Sequence, residues 1–309
     1  MQQKQSSMPS FYVMGTQKAA TTTVNSWLKL HKNISLPYTK ETHFFSKNET
    51  YHKGLGWYLN QFEPKNKYCI RGEVDPSYMY INTVFDRFKD HYINHNIKFI
   101  FILRHPLERA FSHYLMSFNR GVEDLSFVDA LYNESYRIFD SNNLLDDVKD
   151  FSYRDRGNYY NQIHKYLDYF KDSEFLFLKF DDIIINPKNI YNKICKFLDI
   201  LELDNIDFSK KNNPASMSKY TFVSNLLNKN NIYKNLFNKI VKSEKIKFYL
   251  KNKINNMNNI KISVEDKDIR FKNILKTLPK EFIDWNNNEV KKVSRIVDID
   301  LDNWFINNI

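Results

Sequence analysis

The chain has 309 residues, of which 42% are hydrophobic, and its formal net charge is +10. A chain of this length buries roughly three quarters of its unfolded surface, so it can form a complete core. The positive charge favours an anionic ligand or partner, although a Lys-, Asn- and Ile-rich composition accounts for part of it. Because the sequence lacks an apolar run of about 18 residues and an apolar N-terminal segment, we expect neither a membrane span nor a signal peptide.

The two cysteines, Cys69 and Cys195, form no CxxC metal pattern and are too few for a disulfide framework. One lies in a strand-like run and the other in a helical pattern, so we expect two buried thiols. These features predict a cytoplasmic protein of a reducing compartment. We expect a single domain over 1–309, with a flexible N-terminus at 1–9 and a mostly helical part at 220–309.

The strongest motif starts where the apolar run from Phe11 ends at Gly15 and leads into a helical pattern. It continues with Thr16, Gln17, Lys18, Ala19, Ala20, Thr21, Thr22 and Thr23. This order is typical of a strand, a tight turn and a helix N-terminus, where N–H groups and the helix dipole favour an anion. The threonines can cap the helix and donate to phosphate oxygens, and Lys18 adds a positive charge. An ordinary turn with capping threonines fits the same pattern, whereas the missing second glycine excludes a Walker A loop.

At two places in the sequence, a pair of ionisable residues is separated by a single residue. Glu41 and His43 precede two phenylalanines, and on a strand their side chains would share one face. That face is either solvated or directed into a site, where Glu41 or His43 would act as a general base. Glu73 and Asp75 also point the same way if their strand continues that far, but the proline after Asp75 is typical of a turn.

A second strong signal is the run of five apolar residues at 99–103, which predicts a strand buried on both faces of a parallel sheet. Arg104 follows at the carboxyl end, where open α/β sheets bind ligands. Pro106 then starts a helix that carries Ser112, so Arg104 and Ser112 can converge on a second anionic group. Alternatively, Arg104 pairs with Glu108 and Ser112 only packs.

The remaining patterns add one more buried strand at 175–180, a helix from Pro187 to Leu198, and acidic amphipathic helices between 121 and 152. The polar and basic segment 208–219 is either a solvated loop or a clamp for a phosphate. No internal repeat and no domain linker interrupts these elements.

In chain order, the motifs resemble those of sulfotransferases that use 3′-phosphoadenosine 5′-phosphosulfate (PAPS). They are Gly15-Thr16-Gln17-Lys18 with Thr21-Thr22-Thr23, Lys40-Glu41-Thr42-His43-Phe44-Phe45, and Arg104-His105-Pro106 with Arg109, Ser112 and Tyr114. The stretch Tyr51-His52-Lys53-Gly54 with Trp57-Tyr58 further resembles the N-sulfotransferase domain of heparan sulfate biosynthesis. Similar residues also stand at Arg156-Gly157-Asn158-Tyr159, Asp181-Asp182-Ile183 and Asp302-Asn303-Trp304. Each motif is weak alone, but the ordered set spans nearly the whole chain.

The resemblance implies an α/β fold with a central parallel sheet flanked by helices and a P-loop-like nucleotide site. It implies that Lys18 contacts the sulfate and the bridging oxygen, and that the loop 15–23 holds the 5′-phosphate through its backbone and threonines. Arg104 and Ser112 would bind the 3′-phosphate. The same resemblance assigns to the nucleotide site Tyr159 and a closing loop with Lys210, Lys211, Ser216 and Lys219.

For catalysis, Glu41 matches the family's base, which takes the proton of the acceptor, and His43 is the second candidate. Two positions depart from the family. Ala20 stands where many relatives have glycine, so the loop must avoid a positive φ there or accept strain. Val74 stands where heparan-modifying relatives have a lysine that touches substrate, which argues against heparan itself as the acceptor.

Sulfuryl transfer resembles phosphoryl transfer, in which positioning and electrostatics supply most of the catalysis. We therefore expect PAPS as the donor, 3′,5′-adenosine bisphosphate (PAP) as the product, and no required metal. The expected acceptor is a hydroxyl or amine of a glycan, with a lipid or a small molecule as alternatives and no nucleic-acid partner.

Two other functions fit parts of the sequence. A P-loop-type nucleotide kinase is disfavoured by the missing GxxxxGK[ST] motif. A non-catalytic module that binds polyanions would use the net charge of +10, but no nucleic-acid-binding motif accompanies that charge. The sequence gives no indication of the oligomeric state.

Overall fold

The fold is described from a computed structural model, for residues 8–64, 69–92, 96–139, 150–209, 216–218, 259–261 and 264–307. The chain forms two compact units. The first comprises Met1–His105, Asn158–Asn212 and Glu289–Trp304, and the second comprises Pro106–Gly157, Asn213–Asn288 and Phe305–Ile309. The single domain expected over 1–309 stays a prediction.

A five-stranded parallel sheet forms the centre of the first unit, with the strand order β2-β3-β1-β4-β5. Its strands are β1 (Phe11–Gly15), β2 (Ile34–Ser35), β3 (Ile70–Val74), β4 (Lys98–Leu103) and β5 (Glu174–Lys179). The apolar residues of β1 and β4 are fully buried, as expected for central strands covered by helices on both faces. The predicted parallel sheet flanked by helices is therefore confirmed.

The described residues form eleven α-helices, two of which begin at a proline. In chain order they are α1 (Thr21–Leu30), α2 (Asn48–Tyr51), α3 (Gly54–Leu59), α4 (Asn82–His91), α5 (Pro106–Asn119), α6 (Phe127–Phe139), α7 (Tyr159–Tyr169), α8 (Phe180–Ile185), α9 (Pro187–Phe197), α10 (Val264–Leu275) and α11 (Lys280–Val293). Prolines open α5 and α9, because a proline at the first helical position loses no hydrogen bond and has a helical φ.

The strand order brings three loops to one edge of the sheet. β1 pairs with β3 on one side and with β4 on the other, and all three strands run parallel. Their carboxyl ends therefore face the same edge, and the segments that follow Gly15, Val74 and Leu103 leave the sheet there. Ligands of open α/β sheets bind at this edge.

Close packing beneath that edge depends on Gly72 in β3. A Cβ atom at this position would lie 2.1 Å from the ring of Phe11 in β1, so no larger residue fits without displacing the ring. Phe11 belongs to a buried apolar cluster with Trp27 and Leu28 of α1 and Ile194 of α9. The cluster joins the first strand to the helices that cover it.

The second unit has its own apolar cluster, in which residues of α5, α6, α10 and α11 meet. Its buried members include Leu107, Phe111, Phe127, Phe271 and Phe282. Two short strands, β6 (Ser216–Ser218) and β7 (Asn259–Lys261), pair antiparallel in this unit. Two helices, α10 and α11, account for more than half of the described residues between 220 and 309.

Both cysteines are reduced and neither is in a disulfide, but only Cys195 is buried. Cys69 is partly exposed, because β3 begins one residue later, so the expectation of two buried thiols is wrong for Cys69. Over the described parts of the chain, the helices are too short or too polar to span a bilayer.

Candidate active site

The loop between β1 and α1 has the geometry of an anion-binding turn. The Thr16 N–H donates to Ile102 of β4 at 2.6 Å, and the Ala19 N–H donates back to Thr16 at 3.2 Å. Lys18 and Ala20 both have a positive φ, of 72° and 60°. Alternation of left-handed residues in such a loop turns backbone N–H groups toward a common point, and α1 adds its own N-terminal N–H groups there.

The start of α1 differs from the expected cap. The N-cap residue is Ala20, which makes no side-chain hydrogen bond, and the three threonines lie in the first turn of the helix. They therefore do not cap α1. Ala20 accepts the strain of a left-handed backbone, which resolves the alternative left open by the missing glycine.

Arg104 lies directly beside this loop. Its Nη1 donates to the carbonyl oxygen of Lys18 at 3.1 Å, and its guanidinium lies 4.2 Å from the centre of the Phe180 ring. The side chain is only 5% exposed. The hydroxyl of Tyr159, a fully buried residue of α7, donates to the carbonyl oxygen of Arg104 at 2.8 Å. Tyr159 thus holds the backbone from which Arg104 projects.

The segment that carries Glu41 and His43 is not the strand that the alternation suggests. No strand is assigned between 40 and 45, and His43 has a left-handed φ of 54°. The residue between the two, Thr42, donates from its N–H and its hydroxyl to Glu73 at 2.8 and 2.6 Å. The shape of this segment is therefore set by contacts to β3 and not by strand pairing.

Glu41, His43 and Asp75 form a connected group of polar side chains. Nδ1 of His43 lies 3.0 Å from the buried carboxylate of Asp75, and Nε2 lies 3.7 Å from Glu41. The hydrogen bond to Asp75 raises the pKa of His43 above its ordinary value, partial burial acts against it, and the charges of Asp75 and Glu41 add to it. One polar atom of each residue lies within 4.8 Å of the others. The imidazole of His43, which contacts both carboxylates, accounts for this spacing.

Lys40 connects this group to the loop after β1. Its ammonium forms an ion pair with Glu41 and donates to the hydroxyl of Thr21 at 3.4 Å. Thr21 is the first residue of α1 and is buried. The proposed base and the proposed phosphate loop are thus joined through one lysine, to which the sequence assigns no role.

Glu73 is a second buried carboxyl below the site. It accepts hydrogen bonds from Thr42 and from the hydroxyls of Tyr58 and Tyr78, at 2.7 and 3.0 Å. Burial raises the pKa of Glu73 to about 7, the charge of Asp75 adds to this, and the hydrogen bonds from Thr42 and Tyr58 oppose it. At neutral pH the group therefore exchanges between its neutral and charged forms.

The structure brings together the residues 15–23, Arg104, Tyr159, Glu41 and His43 of the first unit. Ser112 is a buried residue of α5 in the second unit, so its convergence with Arg104 stays a prediction. Ser216 lies in β6, and its place in a nucleotide site is likewise a prediction. The other predicted clamp residues, Lys210, Lys211 and Lys219, lie outside the described residues.

Sequence reasoning missed Lys40 and gave Asp75 no role in the site, placing it either on a strand face with Glu73 or in a turn. Asp75 does open a turn, since the Ser77 N–H donates to its Oδ1 at 2.8 Å, and its Oδ2 also contacts His43. The alternation of Glu73 and Asp75 was the available signal for Asp75. The position of Lys40 directly before Glu41 was the available signal for the lysine.

Comparisons with known proteins indicate the family of the chain. A family model described as "Sulfotransferase domain" matches residues 9–263. The chain is 26% identical over 204 residues to the bifunctional heparan sulfate N-deacetylase/N-sulfotransferase 1 of Caenorhabditis briggsae, which covers 63% of this chain and 23% of that protein. It is 24% identical over 193 residues to the heparan sulfate glucosamine 3-O-sulfotransferase 5 of Mus musculus, covering 62% of this chain and 54% of that protein.

Among solved structures, a sulfotransferase from Alicyclobacillus acidocaldarius is similar, with a TM-score of 0.56 and 26% identity, over 67% of this chain and 87% of that chain. The chain spans about a quarter to about half the length of the two heparan sulfate enzymes. The family model, in contrast, covers most of this chain, including the loop after β1 and the segments of Glu41 and Arg104. The chain therefore belongs to the sulfotransferase domain family.

Proposed function

We infer that the protein transfers a sulfuryl group from PAPS to a hydroxyl or amine acceptor. The observation that carries this inference is the hydrogen bond from Arg104 to the carbonyl of Lys18, at 3.1 Å. It joins the residue proposed for the 3′-phosphate to the residue proposed for the sulfate end. One doubly phosphorylated adenosine would therefore meet both cations at the same edge of the sheet.

The residues present fit such a nucleotide. The left-handed residues Lys18 and Ala20 give the loop the backbone shape of an anion cradle, and α1 contributes the positive end of its dipole. The guanidinium of Arg104 offers a planar fork that suits a phosphate. The hydroxyl of Tyr159 donates to the carbonyl oxygen of Arg104 and so helps to hold the backbone of that residue. Tyr159 itself is fully buried.

PAPS supplies the sulfuryl group and leaves as PAP. The ammonium of Lys18 would neutralise the negative charge that grows on the leaving phosphate as the bond from sulfur to its oxygen breaks. A fixed charge of this kind typically contributes about 3 kcal/mol to the stability of the transition state.

Glu41 is the proposed general base. Its carboxylate would take the proton of the acceptor while the acceptor oxygen or nitrogen forms its bond to sulfur. The ion pair with Lys40 and the nearby imidazole of His43 restrict the carboxylate to one region of the site. His43 is less suited to be the base itself, because its contact with Asp75 raises its pKa and favours the protonated ring.

The proposed acceptor is a glycan. Two relatives are named for acting on heparan sulfate, and the segment with Tyr51 and Trp57 is rich in aromatic residues, the type against which sugars pack. Val74, which stands at the position of a substrate-contacting lysine in heparan-modifying relatives, argues for a different sugar chain. A cytoplasmic location and a reaction without a metal remain predictions.

The test combines ligand binding with transfer. In a thermal shift assay, PAP should raise the melting temperature, whereas ATP with Mg²⁺ should not. Labelled sulfate should then move from PAPS to at least one acceptor in a panel of desulfated heparan sulfate, other cell-surface glycans and lipids. Stabilisation by ATP with Mg²⁺ would favour a kinase, and stabilisation only by long polyanions would favour a binding module.

A further inference from the structure

The end of β3 directs two carboxylates toward the segment with the proposed base. Glu73, the fourth residue of β3, accepts from the N–H and hydroxyl of Thr42. Asp75, the first residue after β3, accepts from the imidazole of His43. Both carboxylates are fully buried, and they contact consecutive residues of one loop. The loop is therefore held from below at two successive positions.

The contact between Asp75 and His43 has the more direct consequence for chemistry. With Nδ1 committed to Asp75 at 3.0 Å, the opposite ring nitrogen, Nε2, faces Glu41 at 3.7 Å. The backbone of His43 is left-handed, a conformation that a residue with a side chain adopts only when its surroundings require it. Asp75 supplies such a requirement, because its Oδ2 fixes the ring while its Oδ1 is held by the Ser77 N–H.

We propose that Asp75 is a positioning residue of the sulfotransferase reaction, which holds the imidazole of His43 so that the ring keeps the carboxylate of Glu41 in place. This role rests on the proposed function, in which Glu41 accepts the proton of the acceptor. In this role Asp75 contacts His43 and the Ser77 N–H and no reacting group. Its effect on the reaction passes through His43.

The charged groups around His43 agree with this role. Asp75 and Glu41 contact the two ring nitrogens and raise the pKa of His43, and the positive charge of Lys47 acts against them. A ring between two carboxylates is held most firmly when both of its nitrogens carry protons. Lys40 holds the other oxygen of Glu41, so the carboxylate lies between an ammonium and the imidazole.

A purely structural role for Asp75 makes a different prediction. Asp75 and Asp207 each accept a hydrogen bond from the N–H two residues later, at 2.8 and 3.0 Å, so both stabilise the same kind of turn. The two aspartates differ in their surroundings: Asp75 is buried and contacts His43, whereas Asp207 is exposed. Asp207→Asn is therefore the matched control, since it removes the same charge from a turn of the same kind.

The experiment is a double-mutant cycle in the full chain, with Asp75→Asn, His43→Asn and both together. The readouts are the release of labelled sulfate from PAPS with water as acceptor, its transfer to desulfated heparan sulfate, and the binding of PAP. We expect Asp75→Asn to lower kcat by about tenfold or more, with KM for PAPS and the affinity for PAP changed by less than about twofold. Asp207→Asn should leave all of these values at the wild-type level.

The cycle distinguishes the role of Asp75 from that of the whole site. Because Asp75 acts through His43, adding Asp75→Asn to His43→Asn should change kcat by less than about twofold. A wild-type kcat in Asp75→Asn, or effects that multiply in the double variant, would overturn the proposal. A wild-type protein that neither binds PAP nor releases sulfate would instead overturn the proposed function.

A measurement on the wild-type protein remains decisive if Asp75→Asn does not fold. Nitrogen NMR of the His43 ring, assigned by comparison with His43→Asn, reports which nitrogens carry protons. We expect Nδ1 to remain protonated at about pH 8, where a histidine without such a partner is neutral and free to exchange tautomers. An unprotonated Nδ1 would show that Asp75 does not hold the ring.

Discussion

The guanidinium of Arg104, the residue directly after β4, donates a hydrogen bond to the carbonyl oxygen of Lys18 in the loop after β1. The two residues are 86 positions apart in the chain, and the parallel pairing of β1 with β4 brings them together. The contact fixes the loop backbone at the residue whose ammonium is proposed to act on the sulfate. A change at Arg104 should therefore affect both nucleotide affinity and loop geometry.

Replacement of Arg104 by lysine should weaken the binding of PAP by about 10- to 100-fold, as expected for the loss of one or two charge-assisted hydrogen bonds. A lysine keeps the charge, but it cannot contact the carbonyl of Lys18, lie on the ring of Phe180 and bind a phosphate at once. Isothermal titration with PAP measures the change.

Arg71→Lys is the control for that titration. Arg71 also lies near an aromatic ring, 5.7 Å from the centre of Phe62, but belongs to β3 and not to the proposed site. Its replacement should leave the affinity for PAP within about twofold of the wild type. Equal affinities for the wild type and Arg104→Lys would remove Arg104 from the nucleotide site.

Replacement of Ala20 by glycine should stabilise the protein by about 1 kcal/mol, because glycine adopts a φ of 60° without strain but loses more entropy on folding. Urea unfolding measures the difference. Ala19→Gly is the control, since Ala19 is buried without a positive φ and should lose stability. A loss of stability in Ala20→Gly would show that the left-handed backbone at this position carries no strain.

The buried carboxyl of Glu73 predicts a pH dependence of folding. Its pKa is about 7 in the folded protein, against an ordinary value of 4.5. Between these two pH values the folded state therefore binds more protons than the unfolded chain. The contribution of Glu73 to the free energy of unfolding therefore falls as the pH rises from about 4.5 to about 7. It is constant outside this window.

Glu73→Gln tests this dependence. The amide resembles the protonated carboxyl, so the variant should gain stability relative to the wild type as the pH rises through the window and keep that gain above it. Urea unfolding at several pH values gives the difference. A difference that does not vary with pH would mean that the pKa of Glu73 is not raised in the folded protein.

The two strand ends that carry the proposed nucleotide site were predictable because their signals are local. The apolar run before Gly15, and the apolar strand that ends at Arg104, each specify a strand end and the loop that follows it. The pairing of those strands then follows from the rules of parallel sheets.

The surroundings of the base were less predictable, because contacts distant in sequence define them. The alternation at Glu41 and His43 suggested a strand, but hydrogen bonds to Glu73 and Asp75, 31 and 32 residues away, bend the segment instead. The contact of Lys40 with Thr21 also crosses between elements. Local patterns point to the proposed reactive residues here, while the contacts of those residues come from the packing of β3.

Lys18→Ala should leave the protein folded and lower the rate of sulfate transfer by about 10²–10³, the typical cost of removing one such group from a transition state. Lys29→Ala is the control, because Lys29 lies at the exposed end of α1 in a surface ion pair with Glu63. The melting temperatures of both variants should stay close to that of the wild type. Wild-type turnover in Lys18→Ala would refute its role.

The central claim is that Lys18 and Arg104 contact opposite ends of one nucleotide. A crystal structure of the protein with bound PAP tests it most directly. We predict that the Lys18 ammonium lies at the 5′-phosphate end and that the Arg104 guanidinium hydrogen-bonds to the 3′-phosphate. Bound PAP whose 3′-phosphate lies away from Arg104, or whose 5′-phosphate lies outside the loop 15–23, would contradict the claim.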